Sequence, residues 1–510
     1  MLSSVENNKR VAKNTLFLYV RMLFLMLIQL YTVPVLLRNL GVEDYGIYNV
    51  VGGIVTLFSF LSSSLASGAQ RFLAYELGTG DYEKLRKVFS ATLTIYLCIA
   101  IVIVLLLESL GLWFLNVKMV IPEDRVYAAN WVYQFSILTF LVNIISIPYN
   151  AAIIARERMS VFAYFSIVEI VLKLCAAVSL SFCTSLDRLI IYAIYILGIS
   201  LLMRLSYQFY CVRNFVECHY EVLLDKTLIK PLLIYSGFNM IGSLAMISRQ
   251  QGLNILLNIF FGVLINAAHT LGQQIYGVAN QFVNNVYMAT RPLITKLYAA
   301  NQIEEMWQLV YQSARMASYL LILLCVPLLI EIDLILKLWL GEVPAFTVLI
   351  VRLLIISLFI ETLTNQVIAV FQAANKIKHY QLWSSMIVLM TIPLAYIALL
   401  QKQAVYIPYS ILIILSIGYV ISLLWVGNHI LNLDVLYYLR QVMAKVILVA
   451  VLSLVCPLLI YMNMDDTIVR LLLVIVSSLV WSSLIIWFLG LETQEKRYVL
   501  NFALKIRNKI

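Results

Sequence analysis

Charge is the scarcest ingredient of this chain. Only 12% of its 510 residues are Asp, Glu, Lys or Arg, where a soluble domain carries about a quarter. Long polar segments are also missing, and no stretch between the apolar runs is long enough to fold as a domain of its own. That excludes an external catalytic domain. The seven cysteines (Cys98, Cys175, Cys183, Cys211, Cys218, Cys325 and Cys456) lie in or beside apolar runs and form no CxxC, which leaves disulfide and metal readings weak. Catalytic motifs are absent, so no enzyme activity, cofactor or metal site is expected. The one loop resembling a phosphate cradle, Gly78-Thr79-Gly80, continues as Asp81-Tyr82-Glu83; without a following Gly-Lys-Ser/Thr it reads as a helix breaker.

What is abundant is apolar surface. The chain is 63% hydrophobic, with mean hydropathy +0.93. Runs of about 20 apolar residues recur along its whole length, the length that crosses a bilayer as a helix. Barrel strands would alternate over about 10 residues instead. The expected fold class is therefore an all-α polytopic membrane protein with about fourteen transmembrane helices. The first seven are predicted over residues 14–37, 46–67, 88–110, 127–150, 160–182, 189–211 and 232–261. The second seven are predicted over 266–290, 308–331, 346–372, 381–400, 405–427, 442–461 and 467–490. The first follows 13 polar residues carrying Lys9, Arg10 and Lys13. It is too long for a signal-peptide core and lacks a small-residue cleavage site, so it reads as an uncleaved span.

The net charge of +10 could suggest nucleic acid, but the cations sit in short loops without an aromatic-laced basic domain. They are topology information, and no nucleic-acid partner is expected. With the N-terminus inside, inner segments collect 22 Lys and Arg, among them Arg71, Lys84, Arg86, Lys87, Arg156, Arg158, Arg213, Lys376, Arg440, Arg497, Lys505, Arg507 and Lys509. Outer segments hold six: Arg38, Lys118, Arg125, Arg188, Lys337 and Lys402. That bias places both termini in the cytoplasm.

A weak internal echo organises the chain. Gly41-Val42 resembles Gly262-Val263, Arg71 resembles Arg291, and Ala155-Arg156 resembles Ala374-Asn375, at offsets of 221, 220 and 219. Three matches in order at nearly one offset argue for a duplicated unit of six spans. Six is even, so the copies form a parallel pseudo-repeat about the membrane normal. The expected organisation is an N-lobe over 1–211, a cytoplasmic linker over 212–231 and a C-lobe over 232–427. Residues 428–510 supply two extra spans and a basic tail.

Polar faces mark candidate function. At 100° per residue, span eight groups Asn266, His269, Thr270, Gln273, Gly277, Asn280 and Asn284 within an arc of roughly 100°, widened by Gln274, Gln281 and Asn285. One or two amides would be interhelical glue; a stripe through a whole helix favours a hydrated lumen, with His269 one of its hydrogen-bonded residues. Span two carries a fainter stripe through Gly46, Asn49, Gly53, Thr56, Ser63 and Ser67, which equally suits small-residue packing. Span seven adds Ser236, Asn239, Ser243, Gln250 and Asn254. Arg249 in span seven and Arg21 in span one are costly intramembrane cations, either functional or held in a structural pair. Glu169 and Lys173 stand at ion-pair spacing on span five. Glu361 has no cation at i±3 or i±4, and an unpaired carboxyl suits proton coupling. Glu361 and Glu169 are the candidate ion-coupling carboxylates. Glu108, Arg204 and Arg315 lie near span ends and are expected to snorkel.

The stretch LGVEDYGIYN…SSSLASGAQRFLAYELGTGD, Leu40–Asp81, resembles the start of the Wzx-type O-antigen and polysaccharide flippases. These belong to the multidrug/oligosaccharidyl-lipid/polysaccharide exporter superfamily. Leu40-Gly41, Tyr45-Gly46, Gly68 and Arg71 carry the likeness, and the span count fits over nearly the full chain. The resemblance implies translocation of undecaprenyl-diphosphate-linked oligosaccharide by alternating access, in a bacterial inner membrane, for lipopolysaccharide or other surface-glycan synthesis. Membrane lipid, a glycan polymerase and chain-length proteins are the implied partners. Such a substrate needs cations for its diphosphate and hydrogen bonds for its glycan. Arg249 and Arg21 are the candidates for the first need. Gln250, Asn254, Gln273, Asn280 and Asn284 are the candidates for the second. A cation-coupled multidrug exporter of the same superfamily is the alternative reading, and a membrane glycan polymerase or ligase a more distant one.

Overall fold

The computed structural model describes residues 4–56, 58–117, 122–182, 187–221, 225–340, 343–493 and 495–496. The side chains of Lys9, Arg10, Asn49, Gly53 and Thr56, together with Lys118, Cys183, Arg497, Lys505, Arg507 and Lys509, lie outside what it describes. Among the described residues there is no strand, and twelve helices are long and apolar enough to cross a membrane. They are α1 (Lys13–Gly41), α3 (Tyr82–Val117), α4 (Glu123–Ala155), α5 (Met159–Phe182), α6 (Arg188–Asn214), α7 (Lys226–Gly262), α9 (Ile303–Trp339), α10 (Thr347–Ala373), α11 (Ile377–Gln401), α12 (Tyr406–Leu431), α13 (Val435–Asn463) and α14 (Ile468–Gly490). The other two predicted spans are helical as well, α2 over 42–56 and 59–79 and α8 over 263–299, but too rich in glycine, serine and amides to be counted with the twelve. The chain is a multi-pass, all-helical membrane protein.

Helix starts are set by short polar side chains. The Asp81 and Asp187 carboxylates accept from the backbone amides of Lys84 and Leu189, and the Asp434 carboxylate and Thr467 hydroxyl accept from those of Tyr437 and Arg470. Each cap satisfies an amide that the helix leaves without a partner. Capped by Asp81, α3 therefore begins before its apolar run and outreaches the predicted 88–110, while α4 outreaches 127–150 through the 3-10 turn Glu123–Arg125, which has no side-chain cap.

Two glycines break the helical path between consecutive spans. Gly41 separates α1 from α2 at φ 81°, ψ 166°, and Gly262 separates α7 from α8 at φ 75°, ψ −168°. This backbone region is open essentially to glycine alone. Positions 221 apart in sequence thus make the same rare turn.

The chain divides into two compact units, whose boundary between Met240 and Ile241 falls inside α7. In the unit Lys13–Met240, α4 packs on α2, α3 and α6. Arg125 at the start of α4 holds two carboxylates at once, donating from Nε to Asp44 Oδ1 at 2.8 Å and from Nη1 to Asp187 Oδ2 at 2.7 Å. Past the other end of α4, Arg156 forms a bidentate pair with Glu217, both contacts at 2.7 Å. Gly68 lets α2 approach the first half of α7 closely, because a Cβ there would sit 2.8 Å from Ser236 Oγ.

In the unit Ile241–Ile510, α9 packs against α10 and the α13–α14 hairpin around Tyr319, Ile322, Val326, Ile330, Leu363, Val446, Val449, Val474 and Ile486. Two buried ion pairs clamp the hairpin to α9. Arg470 donates from Nε and Nη2 to Glu331 at 2.8 and 2.9 Å, and Arg315 donates from Nη2 to Glu495 at 2.6 Å. Arg315 and Glu331 are 16 residues apart, about 24 Å along a helix, so the clamps grip α9 at two well-separated levels. The expectation that Arg315 snorkels is overturned: it is 3% exposed, because Glu495 and Glu492 offer it carboxylates inside the protein.

Gly262→Ala is expected to cost about 1–3 kcal/mol from backbone strain alone, since nothing lies within 4 Å of where its Cβ would go. Gly277→Ala, in equally open surroundings but helical backbone, leaves stability unchanged or raises it by up to about 1 kcal/mol. Thermal melts in detergent separate the two. Arg470→Met alone strands the Glu331 carboxylate and is expected to cost about 3–5 kcal/mol. Arg470→Met with Glu331→Leu recovers most of that loss in the same melt.

Candidate functional site: a buried ion pair beside a polar helix face

Helix α10 is interrupted where it carries its acid. Its helical pattern breaks at Leu363–Thr364 and resumes at Asn365. The interruption frees backbone carbonyls, and tyrosine hydroxyls take them: Tyr287 donates to the Thr362 oxygen at 3.1 Å and Tyr438 to the Leu363 oxygen at 2.6 Å. Backbone polar groups at membrane depth are tolerated only with such partners. Next to the break, Gln366 donates to Thr290 Oγ1 at 2.6 Å. The Gln366 Oε1 and Thr364 Oγ1 atoms are buried without a hydrogen bond.

Glu361 lies immediately before the break and is 8% exposed. The expectation that it lacks a partner is overturned. Arg249 of α7 donates from Nη1 to Glu361 Oε1 at 3.0 Å, Ser416 of α12 donates to the same oxygen at 3.1 Å, and Tyr276 of α8 reaches Oε2 at 3.4 Å. Sequence spacing covers partners one turn away along a helix, while this cation comes from 112 residues upstream. Arg249 is thereby a paired cation, one of the two readings its sequence left open. Its remaining donors, Nε and Nη2, make no hydrogen bond among the described residues.

The polar stripe of α8 is present but rotated from its predicted centre. Thr270, Gln274, Gly277, Gln281 and Asn284 are exposed, while Asn266, Gln273 and Asn280 are half-buried at its margin. His269 is corrected outright as a lumen residue. It is 2% exposed, its Nδ1 2.8 Å from the hydroxyl of Tyr409, which belongs to an apolar cluster with Leu257, Ile265, Ala268, Ile350, Leu354 and Leu412. One step of 100° carries it from the stripe to the face packed on α10 and α12.

The other predicted residues fall as follows. Gln250 is exposed beside Arg249, and Asn254 is half-buried with a buried, unpartnered Oδ1. In the other unit, Arg21 is half-buried, its guanidinium 4.7 Å from the Phe162 ring and its Nε without a partner. Glu169 pairs with Lys173 at 2.6 Å, as their spacing predicts. The structure thus joins Arg249 to Glu361 within one unit and places Arg21 and Glu169 in the other. Sequence reasoning missed Tyr276 and Ser416, which carry no signal apart from tertiary contact. It also missed Glu331, although the argument that flagged Glu361 applies to it equally, since no cation lies within four residues. Among the described residues no group of three or more His, Cys, Asp or Glu is placed to hold a metal.

The fold is that of solved structures described as MATE family and MOP superfamily transporters. A structure described as the outward-facing conformation of a multidrug resistance MATE family transporter of the MOP superfamily is 14% identical, with a TM-score of 0.73 over 85% of this chain and 99% of its own. A MATE structure in the bent conformation is 16% identical, with a TM-score of 0.70 over 85% and 98%. A MOP superfamily transporter from Pyrococcus furiosus, described as having a binding pocket of reversed polarity, is 15% identical, with a TM-score of 0.67 over 86% and 99%. The sequence matches the family described as "Polysaccharide biosynthesis protein" over residues 11–298, more than half of the chain, and the protein belongs to that family. No curated protein matches it.

Ser416→Ala removes one neutral hydrogen bond to Glu361 and is expected to cost about 1 kcal/mol. Arg249→Ala removes the cation and leaves a buried carboxylate, so it is expected to cost about 3–5 kcal/mol near neutral pH. Thermal melts of the wild type and both variants check the ranking.

Proposed function

We propose that this protein is a flippase that moves undecaprenyl-diphosphate-linked oligosaccharide from the cytoplasmic to the periplasmic leaflet of a bacterial inner membrane. It acts by ion-coupled alternating access, for surface polysaccharide synthesis. The observation that carries this reading is the exposed polar face of α8, together with a guanidinium on α7 that has unused donors. An amide-rich face is costly against lipid and suits a hydrated path for a glycan, and a guanidinium suits a diphosphate. Membership of a polysaccharide biosynthesis family supports the same substrate class.

In this reading Arg249 and Arg21 hold the diphosphate, and Gln250, Asn254, Gln273, Asn280 and Asn284 bond the glycan. Glu361 and Glu169 serve ion coupling. The six-span duplication supplies two lobes that rock about the substrate, while the isoprenoid tail stays in lipid. Both termini lie in the cytoplasm, and a glycan polymerase with chain-length proteins takes the product onward. The second reading, a cation-coupled multidrug exporter, rests on the likeness to a transporter described as a multidrug resistance protein.

A deletion strain is expected to lose its surface glycan and accumulate the lipid-linked precursor. The wild-type gene restores the glycan, and Arg249→Ala or Arg21→Ala restores at most about a tenth of it. Normal glycan with altered resistance to cationic drugs would select the exporter reading instead.

A further inference from the structure

We infer that Glu361 is a displaceable counter-anion. It holds Arg249 until a diphosphate takes the guanidinium, and it then takes up a proton, so that substrate binding and proton uptake are one event. This rests on the reading of Arg249 as a diphosphate ligand.

The geometry supports exchange rather than a permanent tie. Arg249 gives Glu361 a single Nη1 contact at 3.0 Å, with Nε and Nη2 unused. The structural clamps at Arg470–Glu331 and Arg156–Glu217 each employ two guanidinium nitrogens on two carboxylate oxygens. Bidentate contact is the stronger and more directional form, and a diphosphate presents more acceptor oxygens for it than Glu361 uses. The Arg249 side chain is 15% exposed and the neighbouring Gln250 and Gln251 are exposed, so an anion can reach the unused donors before the carboxylate is released.

Once released, Glu361 touches no second cation among the described residues, and Arg291 of α8 lies within electrostatic reach of Tyr419 rather than on the carboxylate. Tyr276 of α8 and Ser416 of α12 face it as neutral donors, and Tyr419 lies one turn beyond Ser416 with 9% exposure. On α9, which also packs against α10, Arg315, Glu331 and Asp333 are held by Glu495, Arg470 and Arg352 respectively. A carboxylate without a cation in such surroundings is neutralised by taking a proton from water. The balance is simple: the anion replaces the carboxylate on Arg249, and the carboxylate becomes a carboxylic acid. Tyr276 and Ser416 can bond either form, since hydroxyls donate and accept.

The test uses the full-length protein in nanodiscs, with farnesyl diphosphate as probe and farnesol as control. Calorimetry at pH 8 in two buffers of different ionisation heat counts protons; the probe's phosphates are by then largely ionised. The wild type is expected to take up close to one proton per farnesyl diphosphate bound and none with farnesol. Glu361→Gln is expected to bind about tenfold tighter with no uptake, and Arg249→Gln about tenfold weaker. The double variant, with neither charge buried, guards against a folding defect in either single one and is also expected to show no uptake. Wild-type binding without uptake, or uptake that persists in Glu361→Gln, overturns the exchange while leaving the diphosphate reading intact. Failure of the wild type to bind the diphosphate overturns both.

Discussion

A membrane interior offers polar groups no water, and most of this structure follows from that constraint. Apolar helix faces gain little from one another when lipid is an equal alternative, so specific neighbours have to be chosen by something else. In the unit Ile241–Ile510 that choice falls to buried charges, which find partners on other helices. Arg315 and Glu331, about four to five turns apart on α9, bind Glu495 and Arg470 and fix the C-terminal hairpin against it. Arg249 and Glu361 join α7 to α10. Each pair carries a desolvation cost, so pairs specify which helices meet more than they stabilise the whole.

The backbone obeys the same constraint. Gly41 and Gly262 turn the chain between spans through a region that other residues avoid, and they do so in both copies of the echo. The interruption in α10 is tolerated because Tyr287 and Tyr438 cover the carbonyls it releases. Irregular backbone at membrane depth requires such cover or a water-filled cavity. Here it lies next to Glu361, on the helix that also receives Arg249. The break, the acid and the cation therefore form one polar island within a mostly aliphatic unit.

Beside this island, α8 presents two different faces. One packs His269, Gly272 and Tyr276 toward α10 and α12, with a Cβ at Gly272 only 2.9 Å from Ile350. The other leaves Thr270, Gln274, Gln281 and Asn284 exposed. Tyr276, on the packed face, reaches the carboxylate of the ion pair.

How much of this the sequence determined depends on the range of the interaction. Properties set by local composition and by contacts one turn away were legible: the membrane class, the helical spans, the Glu169–Lys173 pair and the glycine echo all depend on residues close in sequence. The existence of a polar stripe on α8 was legible for the same reason, because periodicity fixes which residues share a face. Which side of that stripe is exposed was not, since a turn of 100° moved His269 into the core and depends on what α10 and α12 bring against it. Nor were the partners of Glu361, Glu331 and Arg315, which lie 112, 139 and 180 residues away. A lone charge in an apolar run announces that it needs a partner; only the packing of helices decides which residue that partner is.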